Sequence, residues 1–410
     1  MNRSECEALD RSDPLAGKRA AFVIPEGLIY LDGNSLGLLP AHVAERVGEV
    51  ITRQWGGALV RAWNDHGWFA LPRRVGDRIA ALVGAPAGSV VAGDTISVNL
   101  FKALAAATAL AGERRVILSD DGNFPSDLYV AQGFRDLVDR GYTLETVAPE
   151  QVLDAIDDRV AVTLLTEVDY RTARRHDMAA VTARAHAHGA VTIWDLAHSA
   201  GAMPVDLSGT RADVAVGCTY KYLSGGPGSP AFLYVRPDLQ ERVVPALAGW
   251  WGHALPFAFT PEYVPAPGIL RHQCGTPPIL SMAALDAALD LWDDVDIHAV
   301  RRKSLALCGL FIDLVERRCA AHGVAVTGPR DPGKRGSHVA LRHPHGHAVV
   351  QALIAAGVVG DFRAPDLMRF GFSPLSTRFT DVWDAVEAMA RILDAVAWDR
   401  PDFHARRAVT

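Results

Sequence analysis

Cysteine, basic clusters and long apolar runs are scarce in this sequence, and each scarcity excludes a class of protein. Five scattered cysteines among 410 residues form no Cys-x-x-Cys pair, so neither a disulfide framework nor a metal site is expected. The net charge of −6 and the lack of a basic tract argue against a nucleic-acid surface. No signal-peptide core or membrane-length apolar run is present. We therefore expect a cytoplasmic protein with neither nucleic-acid nor membrane partners.

The pattern of apolar residues predicts a large α/β domain followed by a small α+β domain. Short, continuous apolar runs predict strands buried on both faces of a mostly parallel sheet, at residues 116–118, 161–165, 191–194, 214–216 and 232–235. Downstream, the pattern predicts a long helical stretch over 281–322, strands at 339–341 and 358–362, and helices at 347–356 and 381–398. We divide the chain into an N-terminal segment (1–45), whose first 20 residues read as a polar lead-in, a large domain (46–280) and a small C-terminal domain (281–410).

One lysine stands out by its setting. Lys221 lies just after a strand-like run, between two tyrosines and ahead of Gly-Gly-Pro-Gly at 225–228. Asp195 ends another strand-like run 26 positions earlier. An enzyme that uses pyridoxal 5′-phosphate (PLP) needs a lysine for the Schiff base and an acid for the pyridinium nitrogen. The spacing therefore predicts a PLP site, formed where ligands bind at the carboxyl ends of parallel strands.

Other residues in the same part of the chain fit this interpretation. The segment 93–97 precedes a helical run, and hydroxyl and amide groups at a helix start suit a phosphate group. Phe124 is placed to stack on a pyridine ring, and Asp127 and His198 to tune its polar groups. Each of these has an ordinary structural explanation when taken alone, such as a core aromatic or a helix cap. Their joint order along the chain is what favours a cofactor site.

With these residues in place, the chain resembles the kynureninases, a family of fold-type I (aspartate aminotransferase-like) PLP enzymes, from about residue 28 to 395. The most specific pieces are Tyr-Leu-Asp-Gly-Asn-Ser-Leu-Gly at 30–37, Asp-Leu-Ala-His at 195–198, Thr-Tyr-Lys-Tyr-Leu at 219–223, Gly-Trp-Trp-Gly-His at 249–253, and Arg-Ala-Pro and Arg-Phe-Gly at 363–365 and 369–371. The resemblance implies a PLP-dependent homodimer with a shared active site, which hydrolyses L-kynurenine or 3-hydroxy-L-kynurenine.

The resemblance also implies a role for each matching residue. Lys221, Tyr220 and Asp195 would be catalytic, with Tyr220 donating a proton during carbon–carbon cleavage and also contacting the phosphate. Arg369 would bind the substrate carboxylate, and Ser35 and Trp63 would line the aryl end. The cofactor pocket would comprise Ile96, Ser97, Phe124, Asp127, Thr166, Asp195, His198, Tyr220 and Lys221, together with Trp250 and Thr276 from the second subunit.

Two alternatives stay open at this stage. A cysteine desulfurase or aminotransferase of the same fold shares the aspartate, histidine and lysine, although a desulfurase also needs a cysteine on a mobile loop. Cys274 is the nearest candidate, but its Gln-Cys-Gly-Thr-Pro-Pro setting resembles the kynureninase pattern. A non-catalytic PLP-binding protein is the second alternative, and it has no need for Lys221, Asp195 and Arg369 together. The sequence does not decide between kynurenine and its 3-hydroxy form.

Overall fold

A computed structural model describes residues 1–406 as an α/β protein with three sheets. Its strands are β1 (Ile29–Tyr30), β2 (Val90–Ala92), β3 (Val116–Asp120), β4 (Thr143–Val147), β5 (Val160–Thr166), β6 (Val191–Asp195), β7 (Val214–Gly217), β8 (Phe232–Val235), β9 (Ala325–Val326), β10 (His338–Arg342), β11 (Val358–Val359), β12 (Asp361–Arg363) and β13 (Leu367–Gly371).

The helices surround and connect these sheets. They are α1 (Arg3–Ser12), α2 (Ala41–Glu49), α3 (Ala62–Asp65), α4 (Leu71–Leu82), α5 (Ile96–Leu110), α6 (Pro125–Val138), α7 (Val152–Ala155), α8 (Met178–Ala187), α9 (Pro237–Gln240), α10 (Ile279–Leu289), α11 (Ile297–Arg318), α12 (Gly346–Ala355), α13 (Phe379–Asp394) and α14 (Pro401–His404). No helix in this described part of the chain has both the length and the apolar character needed to span a membrane.

A seven-stranded sheet forms the large domain, in the order β2-β8-β7-β6-β5-β3-β4. The strands from β7 to β4 are parallel, and β8 runs antiparallel to both of its neighbours. Strands β5, β6 and β7 are buried along their whole length, as their continuous apolar sequences predict. The parallel strands end at one edge of the sheet, and Thr166 and Asp195 stand there side by side in register.

The N-terminal segment is built into the C-terminal part of the fold. Strand β1 pairs in parallel with β11, and the Gly371 amide at the end of β13 donates to the Leu31 carbonyl at 2.7 Å. Helix α1 begins at an Asn2 capping box, and Cys6 joins the apolar core around α11 and α13. The first residues are therefore not the polar lead-in that the sequence suggested. The division into three segments itself stays a prediction.

Two predicted elements are broken in the structure. The helical stretch 281–322 divides into α10 and α11, because Asp296 caps a new helix by accepting from the amides of His298 and Ala299. The predicted strand 358–362 divides into β11 and β12, which belong to different sheets. The chain passes close to β13 between them: a Cβ on Gly360 would lie 2.8 Å from the Arg369 carbonyl oxygen.

Candidate active site

Lys221 and His198 meet above the carboxyl edge of the large sheet. Lys221 lies in the turn after β7, and its Nζ is 2.9 Å from His198 Nε2. Burial, assisted by the charge of Lys221, lowers the pKa of His198 well below its ordinary value. The neutral imidazole accepts from Lys221 through Nε2 and therefore carries its proton on Nδ1. That Nδ1 is buried without a hydrogen-bond partner among the described residues.

Two buried carboxyl groups, Asp127 and Asp195, lie beside this lysine. Asp195 is the last residue of β6, and Asp127 lies in the first turn of α6. Burial raises the pKa of both groups, and that of Asp127 is raised further by the charge of Asp195. Thr166 Oγ1, at the end of the neighbouring strand β5, donates to Asn123 Oδ1 and lies 3.5 Å from Asp127 Oδ2. A cationic N–H donor placed beside this pair would favour its ionised form and lower both pKa values.

The N-termini of two helices flank these acids. Ile96 and Ser97 form the first turn of α5, where the Thr95 hydroxyl accepts from the Val98 amide at 3.4 Å. Phe124 lies at the N-cap of α6, and its ring packs edge-on against Tyr170 with centroids 5.0 Å apart. Pro125 suits the first turn of that helix because it has no N–H to leave unpaired. Free amides at the start of a helix suit a phosphate group, and the buried acids beside them suit a cationic ring.

Tyr220 is half-buried next to Lys221. The ammonium of Lys221 lies 5.8 Å from the centroid of the Tyr220 ring. Burial, together with the neighbouring Cys218 thiol, raises the pKa of Tyr220 above its ordinary value. Its phenol is therefore protonated at neutral pH and is available as a donor.

Arg369 reaches the site from the small domain on β13. Its Nε donates to Asp361 Oδ1 at 2.7 Å, its Nη2 donates to Asp361 Oδ2 and to Ser35 Oγ at 3.2 Å, and its Nη1 donates to the Tyr170 carbonyl at 2.6 Å. Ser35 in turn donates to Asp361 at 2.7 Å. Ser35 and Trp63 were both expected at the aryl end of the substrate. In the structure, Ser35 lies beside Arg369 instead.

Three predicted site residues, Trp63, Trp250 and Thr276, lie away from Lys221. Trp63 and Trp250 belong to an aromatic cluster in which each contacts Trp251, with ring centroids 5.1 and 4.8 Å apart. Thr276 lines a small cavity with Gly93, Asp94, Asn99 and Lys102. Within residues 1–406, no hydrogen bond or ring contact joins Trp63, Trp250 or Thr276 to Lys221.

Sequence reasoning missed three residues of this site. Asn123 was not predicted as a site residue. An asparagine just before a helix is a common capping residue, and this was its signal. Asp361 and His338 are the first residues of β12 and β10, and both are buried. A buried polar residue in that position needs a partner, and this was the available signal.

Comparison with known proteins places the chain in a class and then in a family. The cysteine desulfurase CsdA from Escherichia coli superposes with a TM-score of 0.77 at 21% identity, covering 93% of this chain and 98% of that one. A variant of the protein C-DES with glycine covalently linked to its PLP cofactor superposes with a TM-score of 0.77 at 18% identity, covering 91% and 98%. The fold is therefore that of the fold-type I PLP-dependent enzymes.

The sequence comparisons are more specific. A kynureninase from Burkholderia pseudomallei (strain 1106a) is 54% identical over 413 aligned positions, covering 100% of this chain and 99% of the relative. The profile of the kynureninase C-terminal domain matches residues 300–389. The chain belongs to the kynureninase family.

Proposed function

We propose that this protein is a PLP-dependent enzyme that hydrolyses L-kynurenine to anthranilate and L-alanine. One observation carries the proposal: identity to a kynureninase extends over the whole chain, and this chain keeps the groups that the reaction requires. Lys221, the Asp127–Asp195 pair and Arg369 are all present at one site. The pathway context, tryptophan catabolism and NAD biosynthesis, follows from the family name, and the cytoplasmic location stays a prediction from the scattered cysteines.

The residues at the sheet edge fit PLP. The Asp127–Asp195 pair would accept the pyridinium N–H. Burial raises the pKa of both carboxyl groups, and the positive charge of the ring would favour their ionised form. Phe124 and His198 would contact the ring, and Thr166 would support the acids. Ile96, Ser97 and Tyr220 would hold the phosphate at the start of α5. When bound, PLP acts as an electron sink for the substrate carbon atoms.

The other side chains would handle substrate and protons. Arg369 would bind the α-carboxylate through the N–H that its contacts leave free, while Asp361 holds the guanidinium in place. Lys221 Nζ would remove the proton from Cα and return it. The protonated phenol of Tyr220 would supply a proton as the Cβ–Cγ bond breaks. Water supplies the hydroxyl group that leaves in anthranilate, and the three-carbon remainder leaves as alanine.

Exposed aromatic residues support a homodimer. Trp250, Phe257 and Phe259 are 40%, 63% and 78% exposed, and they join Phe69 and Trp251 in one cluster. A connected apolar surface of this kind is typical of a protein interface. In a homodimer, Trp250 and Thr276 of one copy would reach the phosphate site of the other. That arrangement also accounts for their separation from Lys221 within one chain.

A cysteine desulfurase is the less favoured function. The Cys274 thiol is half-buried and donates to the Leu247 carbonyl at 3.3 Å. Burial raises the pKa of this thiol, whereas a nucleophilic cysteine needs a lowered one. The half-buried Cys274 thiol therefore argues against a desulfurase, and kynurenine or its 3-hydroxy form stays the favoured substrate.

The deciding experiment follows anthranilate fluorescence after kynurenine is added to the PLP-loaded protein. Parallel reactions contain 3-hydroxykynurenine or L-cysteine, and alanine is measured in all three. We expect anthranilate and alanine in equal amounts from kynurenine. Sulfide and alanine from cysteine in the presence of a thiol reductant, with no anthranilate from kynurenine, would overturn the proposal.

A further inference from the structure

A buried histidine of the small domain faces the active site without a hydrogen-bond partner. His338 is the first residue of β10 and is 1% exposed. Neither Nδ1 nor Nε2 has a partner among the described residues. Buried polar side chains in native proteins are nearly always hydrogen-bonded, to protein, water or ligand. The partner of His338 is therefore expected to be a molecule that enters the site.

The sheet register places His338 next to Arg369. In the antiparallel β10–β13 pair, His338 is opposite Gly371 and Ala340 is opposite Arg369. Alternate residues of a strand lie on one face, so His338 and Arg369 are diagonal neighbours on the same face. On its other side, the His338 ring centroid is 5.5 Å from that of His198, which contacts Lys221. His338 thus lies between the predicted carboxylate-binding arginine and the catalytic lysine.

The buried side chain of Asn34 lies on the same face of this sheet, beside Gly371. A Cβ on Gly371 would lie 1.9 Å from Asn34 Oδ1, so the missing side chain at 371 makes room for the Asn34 amide. Asn34 is 1% exposed, and neither its Oδ1 nor its Nδ2 has a partner in the described part of the chain. Two unpaired polar side chains therefore share one face of the sheet with Arg369.

The charge state of His338 suits hydrogen bonding rather than ion pairing. Burial, followed by the charge of Arg369, lowers the pKa of His338 to about 3. The ring is therefore neutral at pH 7 and offers one N–H donor and one acceptor. The Tyr170 carbonyl lies near the ring and opposes part of this shift, but neither ring nitrogen of His338 forms a hydrogen bond to it. The N–H of His338 is free for a ligand oxygen.

We propose that His338 contacts the substrate, donating a hydrogen bond to the α-carboxylate that Arg369 binds, with the Asn34 amide beside it. The inference rests on the proposed function, because it takes the ligand to be an α-amino acid. It adds a neutral donor to a site in which Arg369 already uses four of its five N–H donors on protein atoms. A carboxylate has several acceptor positions, so one remaining arginine N–H leaves it under-coordinated.

The test compares two ligands that differ in the carboxylate. PLP-loaded protein is titrated with L-alanine or with ethylamine, and binding is read from the change in the cofactor's visible absorbance. The variants are His338→Leu, which removes the donor, and His338→Gln, which keeps one. His343→Gln is the matched control, because His343 is a buried histidine just past the other end of β10, beside Trp398. The melting temperature of each cofactor-free variant is measured in parallel.

We expect His338→Leu to weaken alanine binding on the order of 10- to 100-fold, since a hydrogen bond to a charged group is lost. Ethylamine binding should stay unchanged, and His338→Gln should recover most of the alanine affinity. The control should match the wild type. Equal weakening of both ligands, or unchanged alanine binding in His338→Leu, would overturn the proposal. So would a wild-type protein that does not prefer alanine over ethylamine.

This test does not depend on kynurenine turnover. A protein that shows the expected alanine pattern but releases no anthranilate would contradict the proposed hydrolysis and leave the role of His338 intact. Anthranilate release with no effect of His338→Leu on alanine binding would support the proposed hydrolysis and contradict the role of His338. A general structural role is excluded if the melting temperature of His338→Leu stays at the wild-type value while alanine binding falls.

Discussion

Arg369 and Asp361 stand directly opposite each other in the antiparallel β12–β13 pair, and their side chains form a buried two-point ion pair. Burial by itself would raise the pKa of Asp361, but hydrogen bonds and charge from Arg369 hold it below its ordinary value. Each side chain is 2% exposed. The guanidinium is therefore oriented before any substrate arrives, which reduces the entropy that binding costs.

Replacing Asp361 by Asn tests whether this pair orients Arg369. We expect KM for kynurenine to rise about tenfold or more, with a smaller change in kcat, because carboxylate binding loses its oriented partner. Breaking a buried pair also costs about 3 kcal/mol of stability, since one charge is left unpaired. Steady-state kinetics and urea unfolding measure the two effects separately.

Asp381→Asn is the matched control for that prediction. Asp381 is a buried carboxylate on α13 that pairs with Arg19 and Arg378 at 2.9 and 2.7 Å. Its replacement should lower stability in the same way but leave KM unchanged. A rise in KM of equal size in both variants would show that lost stability, rather than the orientation of Arg369, explains the Asp361 result.

Lys221→Ala should abolish both turnover and the yellow absorbance of the lysine-bound cofactor. The side chain is the amine that faces His198 at 2.9 Å, and it is the group that we assign to moving the Cα proton. We expect kcat to fall by more than about 10³-fold. Absorbance spectra and anthranilate fluorescence measure this. Lys334→Ala, at an exposed lysine, should match the wild type, and turnover by Lys221→Ala would end this assignment.

Tyr220→Phe should keep the absorbance of the bound cofactor and slow the release of anthranilate. The phenol is protonated because burial raises its pKa, and the variant removes only that donor. We expect a decrease in kcat of about 10²-fold. Stopped-flow absorbance, combined with anthranilate fluorescence, separates the early proton transfer from cleavage. An unchanged rate of anthranilate release would assign the acid role to another group.

The sequence predicts the large sheet well only where strands are buried on both faces. The five predicted strands β3, β5, β6, β7 and β8 are confirmed, because each is a continuous apolar run. The edge strands β2 and β4 were missed. β4 is partly exposed along its length and reads Thr-Leu-Glu-Thr-Val, while β2 has only three residues. Partial exposure removes the continuous apolar signal from β4, whereas β2 is buried and apolar but too short to stand out.

The residues of the candidate site also divide into those that the sequence predicts and those that it does not. Asp195 and Lys221 were predicted because both follow apolar strands whose ends meet at one edge of the sheet. His338, Asn34 and Asp361 come together through the register of β10, β12 and β13 and through an N-terminal segment that crosses to the small domain. Asn34 contacts Gly371 from the other end of the chain, whereas His338 and Asp361 come together through the pairing of their strands with β13. Local pattern and spacing carry no information about them.

Phe257→Glu should weaken the proposed homodimer. Phe257 is 63% exposed at the centre of the aromatic cluster, with Phe69, Trp250 and Phe259 around it. A charge buried there on association would be costly, so we expect the dissociation constant to rise about 100-fold. Analytical ultracentrifugation measures it. Leu137→Glu, at an exposed leucine of α6, is the control, and a wild-type monomer at micromolar concentration would contradict the prediction.

His272→Gln should make the protein less sensitive to acid. Burial, with the charges of Lys102 and Arg271, lowers the pKa of His272 to about 3, from an ordinary value of 6.5. Between these values the unfolded chain binds a proton that the folded chain does not, so stability is lost as pH falls below about 6.5. The variant lacks this proton, and its free energy of unfolding relative to wild type should rise by about 1.4 kcal/mol between pH 7.5 and 5.5. Urea unfolding of the cofactor-free proteins measures the difference, with His298→Gln, an exposed histidine, as the control. A constant difference between His272→Gln and wild type across this range would mean that His272 is protonated in the folded protein.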